Sequence, residues 1–396
     1  MKILHVISSI DPASGGPPEG LRQLRQSLTL QGVQSDICCC DPPDAGYLAA
    51  GRPGLVALGP SQLRYAFNRR LFGWLARYSA GYDAVIVNGI WQFHGLAVWL
   101  ALRGGNVPYF VFTHGMLDPW FRQRYPLKHA KKLLYWTLCE RHILRDARAV
   151  LFTAEEERVR ARQSFPFYQC RELVTSYGTA LPPQDGERLR AGFLAGHPGL
   201  RGRRLLLFLG RIHEKKGGDL LVQAFAAVAG SDPALHLVMA GPCDAEMRAR
   251  LERIAGLCGV GARITWTGML EGDAKWGAFY AADAFCLPSH QENFGVAVAE
   301  ALGCGLPVLI SDKVNIWRET ERSGAGLVAP DSLAGTIDVL QRWLGLDAAR
   351  RRAMGANARR AFDESFHSAR AAARLRELIE AETVAAREER LMQYSR

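Results

Sequence analysis

Short apolar runs alternate with segments of helical spacing from one end of the chain to the other. In the first half, residues 3–10, 35–40, 84–88, 109–113, 149–153 and 173–177 read as strands. Between them, stretches such as 19–31 and 129–144 repeat their apolar positions every three or four residues, the spacing of a helix. The strands are nearly continuous in apolar side chains, as strands covered on both faces must be. The alternation therefore predicts a parallel sheet with helices on either side. Residues 181–203, rich in Pro, Gly and charge, break the rhythm and read as a connection. A second series follows at 205–209, 235–240, 264–267, 284–288, 308–310 and 326–328. Two such series predict an α/β protein of two doubly wound domains, 1–180 and 181–374, facing each other across a cleft. Ligands are expected at the carboxyl ends of the strands. Residues 348–396 are helical in composition, and two readings stay open: a solvated tail, or a final helix (375–396) packing back on the first domain.

Composition narrows the class. With 48% hydrophobic and 22% charged residues the chain reads as globular. No apolar run approaches the ~20 residues that span a bilayer. The start, Met1-Lys2-Ile3-Leu4-His5, reads as a strand and not as a secretion leader, so a cytoplasmic location is expected. Nine cysteines without a CxxC pair predict neither a zinc site nor a disulfide framework. The net charge of +10 is lopsided: residues 1–180 carry 21 Lys and Arg against 13 Asp and Glu, whereas 181–396 carry 28 against 26. A basic first half suits an anionic partner such as a phospholipid surface or a lipid diphosphate. Nucleic acid is not expected, since no binding module for it is recognisable.

The chemistry concentrates at predicted strand ends. The segment Ser289-His290-Gln291-Glu292-Asn293-Phe294-Gly295 follows a strand and opens a helix that carries Glu300. Ionised carboxylates only accept hydrogen bonds, and sugar and ribose diols donate them, so Glu292 and Glu300 suit one polyhydroxylated ligand. Amides near a helix N-terminus add an anion-binding edge. A second segment, Gly210-Arg211-Ile212-His213-Glu214-Lys215-Lys216, places a guanidinium fork and a point charge beside a strand end, as a diphosphate requires. In the first half, Gly15-Gly16 follows strand one, but it is not the GxGxxG fingerprint of dinucleotide binding. His114 ends the fourth strand and is expected to face the ligand. Asn88, His94, Asp118 and Gly15 are weaker candidates for acceptor contact.

Together these segments resemble the retaining family 4 glycosyltransferases, the "group 1" family, over nearly the whole chain. The most specific part is Glu292 through Glu300, the family's Glu-seven-residues-Glu motif, continued by Gly305-Leu306-Pro307-Val308; Gly210-Arg211 with Lys216-Gly217 and the Gly15-Gly16 turn also match. The resemblance implies the GT-B fold of two Rossmann-like domains, an acceptor domain followed by a donor domain. It implies a sugar donor carried on UDP or GDP, and transfer with retention of anomeric configuration, with no cofactor and no metal. Arg211 and Lys216 would hold the donor diphosphate, Glu300 the ribose and Glu292 the transferred sugar. Gly210, the amides of Asn293, Phe294 and Gly295, and Gly16 would line the donor, Leu270 would touch the base, and His114 would stand near the reacting sugar. Tyr177-Gly178-Thr179 departs from the Pro-Asn-Gly of many members. The stretches from Thr113 to Trp120 and from Val314 to Glu319 are similar to a branch frequent in polysaccharide and O-antigen clusters, which implies a glycan or lipid-linked saccharide acceptor.

Two basic amphipathic stretches, 63–78 and 122–148, fit a peripheral seat on an anionic membrane; ordinary inward packing fits them equally. Two rivals share the fold or the site: a sugar-nucleotide epimerase, and a silent nucleotide-sugar-binding protein.

Overall fold

The computed structural model describes residues 1–12, 16–48, 53–175 and 177–394. The chain divides into two compact units, one made of Met1–Gly178 with Ser368–Arg396 and the other of Thr179–His367.

The first unit contains seven strands: β1 (Lys2–Ile7), β2 (Gln34–Cys39), β3 (Leu55–Ala57), β4 (Ala84–Asn88), β5 (Tyr109–Phe112), β6 (Ala149–Phe152) and β7 (Glu172–Val174). All are parallel, in the order β3-β2-β1-β4-β5-β6-β7. The edge strand β3 is short and half-buried, which is why its three residues give no strand signal in the sequence. Its helices are α1 (Gly16–Leu30), α2 (Arg69–Tyr78), α3 (Phe93–Leu102), α4 (Trp120–Arg124), α5 (Pro126–Tyr135), α6 (Arg141–Asp146) and α7 (Glu155–Ala161). The helix expected over 129–144 is thus two helices joined by a π-helical turn, Trp136–Glu140, that sinks Trp136 and Glu140 into the core.

The second unit repeats the plan with β8 (Arg204–Leu209), β9 (Leu235–Ala240), β10 (Ile264–Gly268), β11 (Ala284–Leu287), β12 (Val308–Ser311) and β13 (Gly326–Ala329). The order is β10-β9-β8-β11-β12-β13, again all parallel. Its helices are α8 (Gly186–Gly196), α9 (Gly218–Ala229), α10 (Ala245–Leu257), α11 (Gly272–Ala281), α12 (Val296–Gly303), α13 (Trp317–Arg322), α14 (Leu333–Leu344) and α15 (Ala348–Ala361). In each unit the strand order reverses once, between β1 and β4 and between β8 and β11. At such a switch point the following helices leave on opposite faces and a crevice opens at the strand ends.

The last helix, α16 (Ser368–Tyr394), belongs to the first unit. Ala372, Leu375 and Ile379 pack with Leu24 and Leu28 of α1 and with Ile3, Phe110 and Leu151 of the sheet. Polar contacts fix its register: Gln31 donates to the Ala369 carbonyl at 2.7 Å, and Arg148 donates to Glu382 at 2.8 Å and to Glu389 at 2.6 Å. Among the described residues no helix is long and apolar enough to cross a membrane.

Because Ile379 is fully enclosed, Ile379→Ala is expected to destabilise the protein by about 2–5 kcal/mol. Urea unfolding monitored by circular dichroism checks this; a loss below 1 kcal/mol on the order of a surface substitution would show that the helix does not complete this core.

Candidate functional site

The second unit's switch point is where the sequence motifs converge. Strand β8 delivers Gly210 at φ 149°, an angle that L side chains rarely adopt. The neighbouring Gly241, after β9, lies so close that a Cβ there would stand 1.9 Å from the Gly210 carbonyl oxygen. The loop then runs through Arg211 and Ile212 into a single 3-10 turn, Glu214–Lys216, and Gly217 closes it at φ 67° before α9. A Cβ on Gly217 would sit 2.1 Å from the Pro288 carbonyl oxygen, at the end of β11. These two loops are therefore packed backbone on backbone. One bond locks them: the His290 amide donates to the Lys215 carbonyl at 2.8 Å.

That contact brings Lys216 against Glu292, Nζ to Oε2, with both side chains largely shielded from water. A third strand end secures the carboxylate's backbone. The Glu292 amide donates to the Lys313 carbonyl, and the Glu292 carbonyl accepts from the Asn315 amide, both at 3.0 Å. Burial, with repulsion from Lys215 and Arg211, pulls the Lys216 ammonium down to about 7. The touching carboxylate opposes this, since an opposite charge at contact favours the ionised amine. Arg211, by contrast, is exposed on the same loop.

Gly295, at φ 74°, turns the chain into α12, and Asn293 and Phe294 form the approach to it. The Asn293 carboxamide accepts from Asn315 at 3.3 Å, while Phe294 is buried against Phe366. Glu300, just over one turn into α12, is buried and bonded to Lys275 of α11 at 2.8 Å. Burial raises its pKa and Lys275 counters it. The two motif glutamates are thus held by different lysines. Leu270, two residues past β10, is half-buried in the turn before α11. Lys275 had no signal in the sequence, and the stretch holding Asn315 was marked only by its likeness to a family branch; the fold alone brings both near the glutamates.

In the first unit His114 follows β5 at φ 47°, an unusual angle for a non-glycine residue. A buried carboxylate holds it there. Glu157 of α7 accepts from Thr113 Oγ1 at 2.7 Å, the Gly115 amide at 2.6 Å, and the Thr153 amide and hydroxyl at 2.7 Å each. Residues 113 and 115 flank the histidine, so one side chain pins both ends of its turn. The imidazole stacks on Phe112 and lies 3.4 Å from Asn88 Oδ1. Burial lowers its pKa to about 4, so it is neutral near pH 7. The signal for Glu157 was legible only in part: Thr153 followed by acidic residues is a helix-start signature, but nothing in it points to His114.

The weaker acceptor candidates fare differently. His94 is fully enclosed, its Nε2 bonded to the Asn88 carbonyl at 3.0 Å and its pKa lowered to about 4 by burial. It is a core histidine, which corrects its expected role as an acceptor contact: α3 begins at Phe93 and turns its first residues inward. Asn88 is buried and supports His114 and His5. Asp118 is buried too; one oxygen accepts from the Trp120 amide at 2.8 Å and the other faces Arg160 at 3.4 Å, so its carboxylate is engaged within the fold. Gly16 is the first residue of α1 with open space around it, and Gly15 lies outside the described residues. No group of three metal-ligating side chains occurs among the described residues.

Comparison with known proteins gives this geometry a family. A family model described as "Glycosyl transferases group 1" matches residues 197–361, and one described as "Glycosyl transferase 4-like domain" matches residues 15–178. Alpha-D-kanosaminyltransferase of Streptomyces kanamyceticus is 28% identical over 193 residues, which is 48% of this chain and 49% of that protein. A D-inositol 3-phosphate glycosyltransferase of Actinosynnema mirum is 29% identical over 261 residues, 63% of this chain and 61% of the relative. The matched region thus spans less than two thirds of the length of either relative. Among solved structures, the sucrose-phosphate synthase of Thermosynechococcus elongatus has a TM-score of 0.75 at 22% identity, covering 97% of this chain and all of that one. Anabaena HepE in complex with UDP-glucose has a TM-score of 0.74 at 16% identity, covering 96% of this chain and all of that one. Matched across both units, the chain belongs to the group 1 glycosyltransferases of family 4 and has the GT-B fold.

Proposed function

We propose that this glycosyltransferase moves a sugar, with retention, from a nucleoside diphosphate onto a lipid-linked or glycan acceptor used in cell-surface polysaccharide. The observation that carries the donor half of this reading is the Lys216–Glu292 pair, fixed by three strand-end loops at the second unit's switch point. The second unit takes the donor and the first the acceptor. UDP is favoured over GDP, because HepE was solved with UDP-glucose.

When the glycosidic bond breaks, negative charge collects on the leaving diphosphate. Lys216, the exposed Arg211 and the amides leading into α12 are donors already in place for it, so little reorganisation is needed at the moment of reaction. Glu292 does two things here: it accepts from the sugar hydroxyls, and its contact favours the ionised form of Lys216. Glu300, shared with Lys275, accepts from the ribose. Neutral His114 serves the reacting sugar as a hydrogen-bonding group, not as a cation. The protein supplies the cations itself, so the reaction proceeds without a divalent metal, on the cytoplasmic face of the membrane.

The direct test is a thermal-shift panel of UDP, GDP and their sugars in EDTA, followed by transfer assays. UDP and a UDP-sugar are expected to raise the melting temperature by mass action. Transfer that strictly requires magnesium or manganese would contradict the metal-free reading, and isomerisation of the donor without an acceptor would favour an epimerase.

The Glu292→Gln protein has a specific pH signature. In the natural protein burial and two like charges already let Lys216 lose its proton as pH rises through about 7, and without the Glu292 carboxylate that loss should move to lower pH. UDP affinity of the natural protein should fall about tenfold between pH 6 and 8.5, the scale of one charged hydrogen bond, while the variant should already be weakened at pH 6 and fall less across the same window. Calorimetric titration at the two pH values decides; equal pH dependence in both proteins would remove Glu292 from this role.

Glu157→Gln puts an amide NH2 against groups that are themselves donors. Stability should drop by about 1–3 kcal/mol, and kcat should fall with UDP affinity unchanged, because the donor loops lie in the other unit. Undiminished kcat would show that the histidine's turn does not matter to transfer.

A further inference from the structure

The first unit holds a second concave site that the donor chemistry does not use. It lies where α4 and α5 meet the end of the β5 loop and encloses about 60 Å³, space for roughly four waters. Its walls are of two kinds. Met116, Phe121 and Phe165 supply apolar surface, and Arg122, Lys128 and Lys132 supply positive charge. Lys132 lies 4.7 Å from the centre of the Trp91 ring and 5.5 Å from that of Phe121, and the charge of the buried Glu140 acts on it from the core side. Lys128 lies over Tyr125 at 4.6 Å. His129, stacked on Phe165 in the same wall, has its pKa lowered by burial and then by Arg122 and Lys132, so these cations converge on one place. The single carboxylate in the lining is Asp118, already engaged by Arg160 and the Trp120 amide.

Next to this pocket α5 lies on the surface with none of its residues buried. Leu127 is 84% exposed, Leu134 64%, and Leu138, in the following turn, 67%. Leucines so placed gain nothing from the fold and would gain from hydrocarbon. The other basic amphipathic stretch differs in part: α2 turns Leu71 and Leu75 into the core, while Leu63 and Phe72 of that stretch stay exposed. Charge points the same way. Residues 120–148 carry eight Lys and Arg against two Asp and Glu, and of those two Glu140 is buried and Asp146 is paired with Arg145.

We infer that this pocket binds the diphosphate of a lipid-linked acceptor, with the hydrocarbon lying along the exposed leucines of α5 and its following turn. Cations facing a confined space match a group with several negative oxygens, and the adjoining apolar strip matches the chain to which that group is attached. The inference rests on the acceptor reading given above and names the place where such an acceptor is held.

Farnesyl diphosphate is a suitable probe, titrated calorimetrically into the full-length protein with saturating UDP present to fill the donor site. Inorganic diphosphate, and anionic vesicles free of isoprenoid diphosphate, are run in parallel. Binding of farnesyl diphosphate at least tenfold tighter than inorganic diphosphate is expected, because only the former uses both surfaces. The double variant Arg122→Glu, Lys128→Glu changes two exposed side chains and should weaken farnesyl diphosphate about tenfold or more while leaving UDP affinity intact. Retained UDP affinity also shows that the variant is folded. Equal farnesyl diphosphate affinity in variant and natural protein would overturn the inference. So would binding to vesicles with none to farnesyl diphosphate, which would make this face a membrane seat and not an acceptor site. If farnesyl diphosphate binds as expected but UDP does not bind at all, the donor reading fails and the pocket stands.

Discussion

Everything about the proposed donor site depends on how closely three loops approach one another. Backbone meets backbone at Gly217 against Pro288 and at Gly241 against Gly210, and any side chain at either glycine would push the strand ends apart. The contact forces an ammonium and a carboxylate together where water is scarce. Burying two charges is costly, and replacing such a pair with apolar groups is often neutral or stabilising by about 1–4 kcal/mol. Stability alone therefore gives no reason for Lys216 and Glu292 to be where they are. The proposed diphosphate-linked sugar would give one, because it needs a cation and an acceptor in fixed places before the reaction begins.

The first unit uses a different device for a similar end. Glu157 has no ligand to meet, since its four hydrogen bonds use up its capacity to accept. What it does is hold residues 113 and 115 so that His114 stays at a backbone angle it would not choose. Strain of this kind persists only when the surroundings over-determine it, and a fully satisfied carboxylate in a dry interior is such a surrounding. Both places follow one logic: one group is positioned by another drawn from a separate element.

The α4–α5 surface shows a different condition. Its leucines are uncovered and its lysines lean on aromatic rings. A similar composition in α2 turns Leu71 and Leu75 into the core. Amphipathic spacing by itself thus says that one face is apolar, and says nothing of what will cover it.

The alternation of apolar runs and helical segments determined the two parallel sheets, since strands buried on both faces leave no other pattern. The spacing of Glu292 and Glu300 on a strand-to-helix junction, and of Arg211 and Lys216 on another, marked two loops of the donor unit because that chemistry is local to each segment. The short strand Leu55–Ala57 and the π-turn at Trp136–Glu140 escaped the reading, being stabilised by neighbours distant in sequence. His94 misled it: a histidine near a strand end reads as ligand-facing, and only the direction in which α3 leaves the sheet sends it into the core. Composition left two places open for residues 348–396. The docking of Leu375 and Ile379 beside α1 decided between them, because an apolar stripe has no address until a complementary surface exists. The partners Lys275, Lys313, Asn315 and Glu157 were likewise decided by the tertiary fold alone. Sequence spacing reports which residues share a strand, loop or helix face, whereas a hydrogen bond or ion pair between separate elements exists only once strand order has placed them within reach.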